Sequence, residues 1–165
     1  MDLERHLKQV EQNKRIYEAF RQECLQAMKC LEALGFVPAP EIESDALILV
    51  QKYRKPPIEV LIQLEERELY VSESIQSGSC ACSVFDLLTP EERRKDPEMK
   101  SASDEIARVM GRKRWSKVLW KAAMERDYES ALVILRVQIQ VIGLAWRKYG
   151  ERILQRFQEC CLGEI

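Results

Sequence analysis

The last third of the chain constrains the fold most. From Asp127 to about residue 160, apolar side chains recur at Tyr128, Leu132, Leu135, Ile139, Ile142, Trp146, Tyr149, Ile153 and Cys160. The steps are three and four, interrupted only at Arg156. That spacing lines one face of an α-helix, and a helix of this length spans about 50 Å. A rod of that size has to be the spine of a small fold. One stretch also reads as a strand: Val133, Leu135, Val137, Ile139 and Val141 alternate with Arg136, Gln138 and Gln140, and β-branched residues favour strands. Helix is preferred, because the heptad runs on past Gly143 and puts Arg136, Gln140, Gly143, Arg147 and Glu151 on one polar stripe.

Residues 1–34 carry a second amphipathic pattern. Leu3, Leu7, Val10, Tyr17, Cys24, Met28 and Leu31 follow a partial heptad, with Lys14 and Arg21 at two of its positions. Gly35 suits a helix C-terminus, and Pro38 and Pro40 oppose continuation. Residues 46–73 change character. Ala46–Tyr53 is short and apolar, Arg54-Lys-Pro-Pro57 reads as a connection, and Ile58, Val60, Ile62 and Leu64 share one face. Glu68–Ser72 reads as a third strand. Such short connections predict antiparallel pairing. Residues 74–89 read as a loop, followed by a short helix from Thr89-Pro90-Glu91-Glu92, with Thr as N-cap and Pro at the first helical position. Asp96-Pro97 is expected to end it, and a further helix is expected from about 103 to 126. The expected fold is therefore α+β and predominantly helical. A long N-terminal helix, a small antiparallel sheet of two or three strands and a C-terminal helical hairpin (101–165) form a single domain, 1–165. Leu135, Ile139, Ile142 and Trp146 are expected to pack on Val60, Ile62 and the first helix.

Within that hairpin, Trp115-Ser-Lys-Val118 together with Asp127, Tyr128, Ala131 and Leu132 resembles one tetratricopeptide hairpin. Arg126 stands where that family usually has Gly, and Leu119 where it has a small residue. The likeness covers about 30 residues, with no second copy, whereas such arrays need roughly three. It implies a helical hairpin at 115–132 and carries no function.

Composition excludes several classes. With 165 residues, 46% hydrophobic and 32% charged, the chain suits one globular domain. No apolar run approaches the roughly 18 residues of a membrane span. The first twenty residues are too charged for a secretory h-region, so a cytoplasmic protein with reduced thiols is expected. Cys80-Ala-Cys82 and Cys160-Cys161 offer four thiolates on paper, and tetrahedral zinc accepts four. Those spacings are poorer than C-x-x-C, however, and the thiols read as core fillers or incidental groups, so neither metal nor cofactor is expected. A labile Cys80/Cys82 redox pair is a weaker alternative. His6 is the only histidine, which disfavours His-based hydrolytic sites. The acids Glu41, Glu43 and Asp45, and Glu65, Glu66 and Glu68, read as solvated strand ends. No phosphate-binding or nucleophile loop is present in the sequence, and no enzyme is expected.

The basic stretch is more informative. Arg108, Arg112, Lys113, Arg114, Lys117, Lys121 and Arg126 stand against Glu125 alone, with Trp115 and Trp120 among them. Residues 1–82 hold 10 basic and 14 acidic side chains, and residues 83–165 hold 16 and 13. This polarity predicts a non-enzymatic interaction or adaptor module that binds an acidic protein through Arg112, Lys113, Arg114, Lys117 and Lys121. Nucleic acid is the alternative partner, by phosphate neutralisation and stacking. A second copy of the chain is a further candidate, through the stripe of the first helix.

Overall fold

The computed structural model describes residues 2–45, 48–65, 69–110 and 128–161. The chain opens with helix α1 (Leu3–Ala27), capped by the Asp2 carboxylate on Glu4 N, and one short turn of helix, α2 (Cys30–Ala33). Gly35 follows at φ 94°, a left-handed value that releases the chain into the sheet. Strands β1 (Val37–Pro38), β2 (Glu43–Asp45), β3 (Ile48–Lys55), β4 (Ile58–Glu65), β5 (Tyr70–Ser77) and β6 (Cys80–Cys82) form one antiparallel sheet. The order is β1-β3-β4-β5-β6, and β2 pairs with β3 on the same edge as β1.

This sheet corrects the expectation of two or three strands. Six strands occupy the middle of the chain, and residues 74–82, expected as loop, complete β5 and add β6. The long central pairs follow the apolar pattern. Tyr53 lies opposite Val60, Gln51 opposite Ile62, and Leu49 opposite Leu64. Val71 continues that face from Leu64, and Ile75 from Val60. The edge pieces have no such pattern of their own. β2 is Glu-Ser-Asp and fully exposed, and β1 contains a proline, which only an edge tolerates.

After β6 come a 3-10 turn (Val84–Leu87), helix α3 (Pro90–Arg94), helix α4 (Pro97–Met110) and helix α5 (Tyr128–Cys161). Thr89 and Glu92 form a reciprocal capping box at α3, as the Thr-Pro signal implies. Asp96-Pro97 is a start as well as a stop. Asp96 Oδ1 accepts from Glu98 N and Met99 N, so α4 begins at Pro97 rather than near 103. Residues 133–141 are helical within α5.

The core lies between one sheet face and the helices. Leu135, Ile139, Ile142 and Trp146 of α5 are buried in one cluster with Val60, Ile62, Leu64 and Ile75, and with Phe20, Cys24 and Met28 of α1. Phe36 meets the Trp146 ring edge-on at 6.1 Å. Gly143 belongs to this interface rather than to a polar stripe: a Cβ there would stand 2.4 Å from the Ala27 carbonyl oxygen. Two buried amides fasten the layers. Gln51 Oε1 accepts from Arg21 Nη1 at 3.0 Å, while Gln138 Oε1 accepts from Val71 N at 2.9 Å and its Nε2 donates to Leu69 O at 2.8 Å. Tyr53 Oη donates to Cys24 O, which ties α1 to β3.

Candidate functional site

Helices α1 and α5 run in the same direction. Arg136 Nε donates to Glu23 Oε1 at 2.9 Å, and Gly150 packs on Leu34. Ile16 of α1 packs against Ala131 and Ile134 near the start of α5, in a small cluster with Leu69 and with Ile106 and Val109 of α4. Residues 3 to about 12 therefore lie past the level of Tyr128, the first described residue of α5, over about 15 Å at 1.5 Å per residue. In that overhang Leu3 is 69% and Leu7 58% exposed. The last turn of α4 and the first turn of α5 meet at the same end. The basic run is thus attached at both sides to one cluster. Arg112, Lys113, Arg114, Lys117 and Lys121 themselves lie outside the described residues, as do Trp115, Trp120 and the body of the expected hairpin at 115–132. Arg108, the first base of the run, is exposed and pairs with Glu105.

Several of the described charges elsewhere are used internally. Asp96 accepts from Lys148 Nζ and from the Tyr149 hydroxyl, and Lys148 also reaches Glu98 at 3.2 Å. These partners, Lys148 first, hold the Asp96 carboxyl well below the usual range. Glu92 is buried and accepts from Arg156 at 2.6 Å and Arg152 at 3.0 Å. The Arg156 bonds hold Glu92 down to about 2 against the cost of burial. Arg156 also donates to Leu87 O. The one break in the α5 apolar series is therefore a clamp on α3.

A cleft of about 320 Å³ opens between β5, α4 and α5, lined by Glu73, Ser83, Phe85, Ile106, Gln138 and Ile142 among others. Glu73 lies opposite Ile62 and so faces the core side of the sheet. Its carboxylate accepts from the Ser83 hydroxyl and from Val84 N at 2.7 Å, yet burial pushes it up to about 7. A wider groove of about 470 Å³ runs between α1, α4 and α5, lined in part by Lys29, Cys30, Glu105, Gly143 and Arg147.

The thiols depart from expectation. Cys80 of β6 and Cys161 of α5 form a disulfide, with Cα atoms 5.7 Å apart, where six free thiols were expected. Cys24 is buried, Cys30 and Cys82 half-buried and Cys160 exposed, all four unbonded. Burial pushes the Cys24 thiol far up, which marks it as a core group. Among the described residues no group of three or more His, Cys, Asp or Glu side chains is arranged to hold a metal ion, and no helix is long and apolar enough to cross a membrane. No family model, curated protein or solved structure matches the chain.

Proposed function

We propose that the protein is a non-enzymatic interaction module of the cytoplasm that binds an acidic protein through Arg112, Lys113, Arg114, Lys117 and Lys121. One observation carries this reading. The basic run follows the end of α4 and precedes the start of α5, which meet α1 in one cluster, and Leu3 and Leu7 of α1 are exposed. A cationic segment that acts together with exposed apolar side chains combines steering with buried area, the two ingredients of a specific interface. The polar groups with shifted acidities support the same view, since Glu92, Asp96 and Glu73 are engaged in bonds that hold the fold.

The test is a tagged capture from the native host, wild type against the Arg114→Glu, Lys117→Glu double variant, with and without nuclease. A stoichiometric acidic protein that survives nuclease and is lost on the folded double variant supports the reading. Material that vanishes with nuclease transfers the surface to nucleic acid, for which Trp115 and Trp120 among the bases are suited. Sedimentation of the purified chain decides whether a second copy occupies the α1 overhang instead. The cytoplasmic assignment requires Cys80 and Cys161 to be reduced for most of the protein's life, which thiol trapping in cells measures.

A further inference from the structure

Four of the six cysteines meet at one corner of the molecule. Cys80 pairs in register with Ser77, and Cys82 with Ile75, so both thiols of β6 share one face of the sheet. Cys160 and Cys161 are consecutive in the last turn of α5. The Cys80–Cys161 bond fixes these two elements side by side. Cys82 then lies about 6.6 Å along the strand from Cys80, and Cys160 is the chain neighbour of Cys161. Cys80, Cys82 and Cys161 are half-buried and Cys160 is exposed, so the corner is open to small solutes.

We propose that this corner, once the disulfide is reduced, is a four-thiolate site for a thiophilic divalent cation, Zn²⁺, with Cys80, Cys82, Cys160 and Cys161 as ligands. The tight C-x-C and C-C spacings oppose chelation within either motif, but the fold pairs the thiols across two elements instead. Sulfurs around tetrahedral zinc stand about 3.8 Å apart, given Zn–S bonds of about 2.3 Å. Cys80 and Cys161, with Cα atoms 5.7 Å apart, can reach that sulfur separation by side-chain rotation once the bond is broken. In the oxidised chain two of the four sulfurs are spent on each other, so no ready metal group exists there.

The chemistry balances. A dithiol reductant gives two electrons and two protons to the Cys80–Cys161 bond and leaves as its own disulfide. The four thiols then lose four protons to solvent as they bind one cation.

Cobalt titration of the full chain tests this, run anaerobically with and without a phosphine reductant, with thiols counted in parallel. The expected result is one Co²⁺ per reduced chain, with a thiolate-to-cobalt charge-transfer band that Zn²⁺ abolishes, and no band in the oxidised chain. Cys82→Ser and Cys160→Ser are each expected to weaken binding about tenfold or more, and Cys30→Ser to leave it unchanged, with folding followed by circular dichroism. A fully reduced, folded chain without the band overturns the proposal. So does binding that is indifferent to both Cys82→Ser and Cys160→Ser.

Discussion

Gly143 and Gly150 are the residues on which the close approach of α1, α2 and α5 depends. Alanine is the better helix former by about 1 kcal/mol, so on an open helix either substitution would stabilise. At Gly143 the new Cβ meets the Ala27 carbonyl oxygen at 2.4 Å, a backbone atom with nowhere to go. At Gly150 it meets the end of the Leu34 side chain at 2.7 Å, which can rotate away. Gly143→Ala is expected to lose about 1–3 kcal/mol in urea unfolding, and Gly150→Ala distinctly less. The opposite order would mean that the two helices do not cross there. Glu73 and Glu92 make opposed pH predictions. Burial raises Glu73 from 4.5 to about 7, so the folded state binds its proton more tightly. Its contribution is full below about 4.5 and is lost as pH rises through about 7. Glu92 is lowered from 4.5 to about 2, chiefly by Arg156, so its contribution is present above about 4.5 and lost as pH falls towards 2. In a melting series, Glu73→Gln is expected to flatten the fall in stability between pH 4.5 and 7 while leaving the acid limb intact. An unchanged slope would place the Glu73 carboxyl in solvent.

At the scale of elements, the disulfide joins the end of the longest helix to the sheet edge across a sequence separation of 81. Chain-entropy reasoning gives such a loop about 4.5 kcal/mol, and measured bridges typically deliver 2–4 kcal/mol. Cys161→Ser is expected to cost the oxidised protein an amount in that range and to speed amide exchange in the last turns of α5. No change in either would mean that the helix end is held by Phe157 and Arg156 alone. Elements whose signal is local were legible in the sequence. Helix α3 is fixed by Thr89, Pro90 and Glu92, and α5 by its apolar period, where Ile142 and Trp146 carry the pattern past the strand-like stretch. Edge strands were not. β2 and β6 pair because β3 and β5 offer free edges, and nothing in Glu-Ser-Asp or Cys-Ala-Cys announces that. Glu73 was missed for the same reason, since a strand ending at Ser72 leaves it in a loop, whereas the observed register turns it inwards opposite Ile62. The start of α4 could have been found, because Asp96-Pro97 repeats the cap-and-proline signal of Thr89-Pro90.

At the scale of the whole molecule, the exposed Leu3 and Leu7 lie at the end where α4 stops and α5 starts, the two elements that flank the basic run in sequence. Ion pairs tie Asp96 and α3 to the long helix, while Leu3 and Leu7 of α1 are exposed at the end where the cluster around Ala131 and Ile134 lies. The bases are plain in the composition of residues 108–126, whereas the placing of Leu3 and Leu7 at the end where α4 stops and α5 starts follows only from the parallel packing of α1 on α5. The most direct test of this account is fluorescence anisotropy at several salt concentrations, with a labelled twenty-residue poly-glutamate peptide and a mixed-sequence RNA of equal length as probes. The account predicts that the peptide binds the wild-type chain more tightly than the RNA does. It also predicts that Arg114→Glu with Lys117→Glu weakens the peptide by about tenfold or more without altering the melting curve. Equal binding of the peptide by wild type and double variant would contradict it, as would tighter binding of RNA with a steep salt dependence.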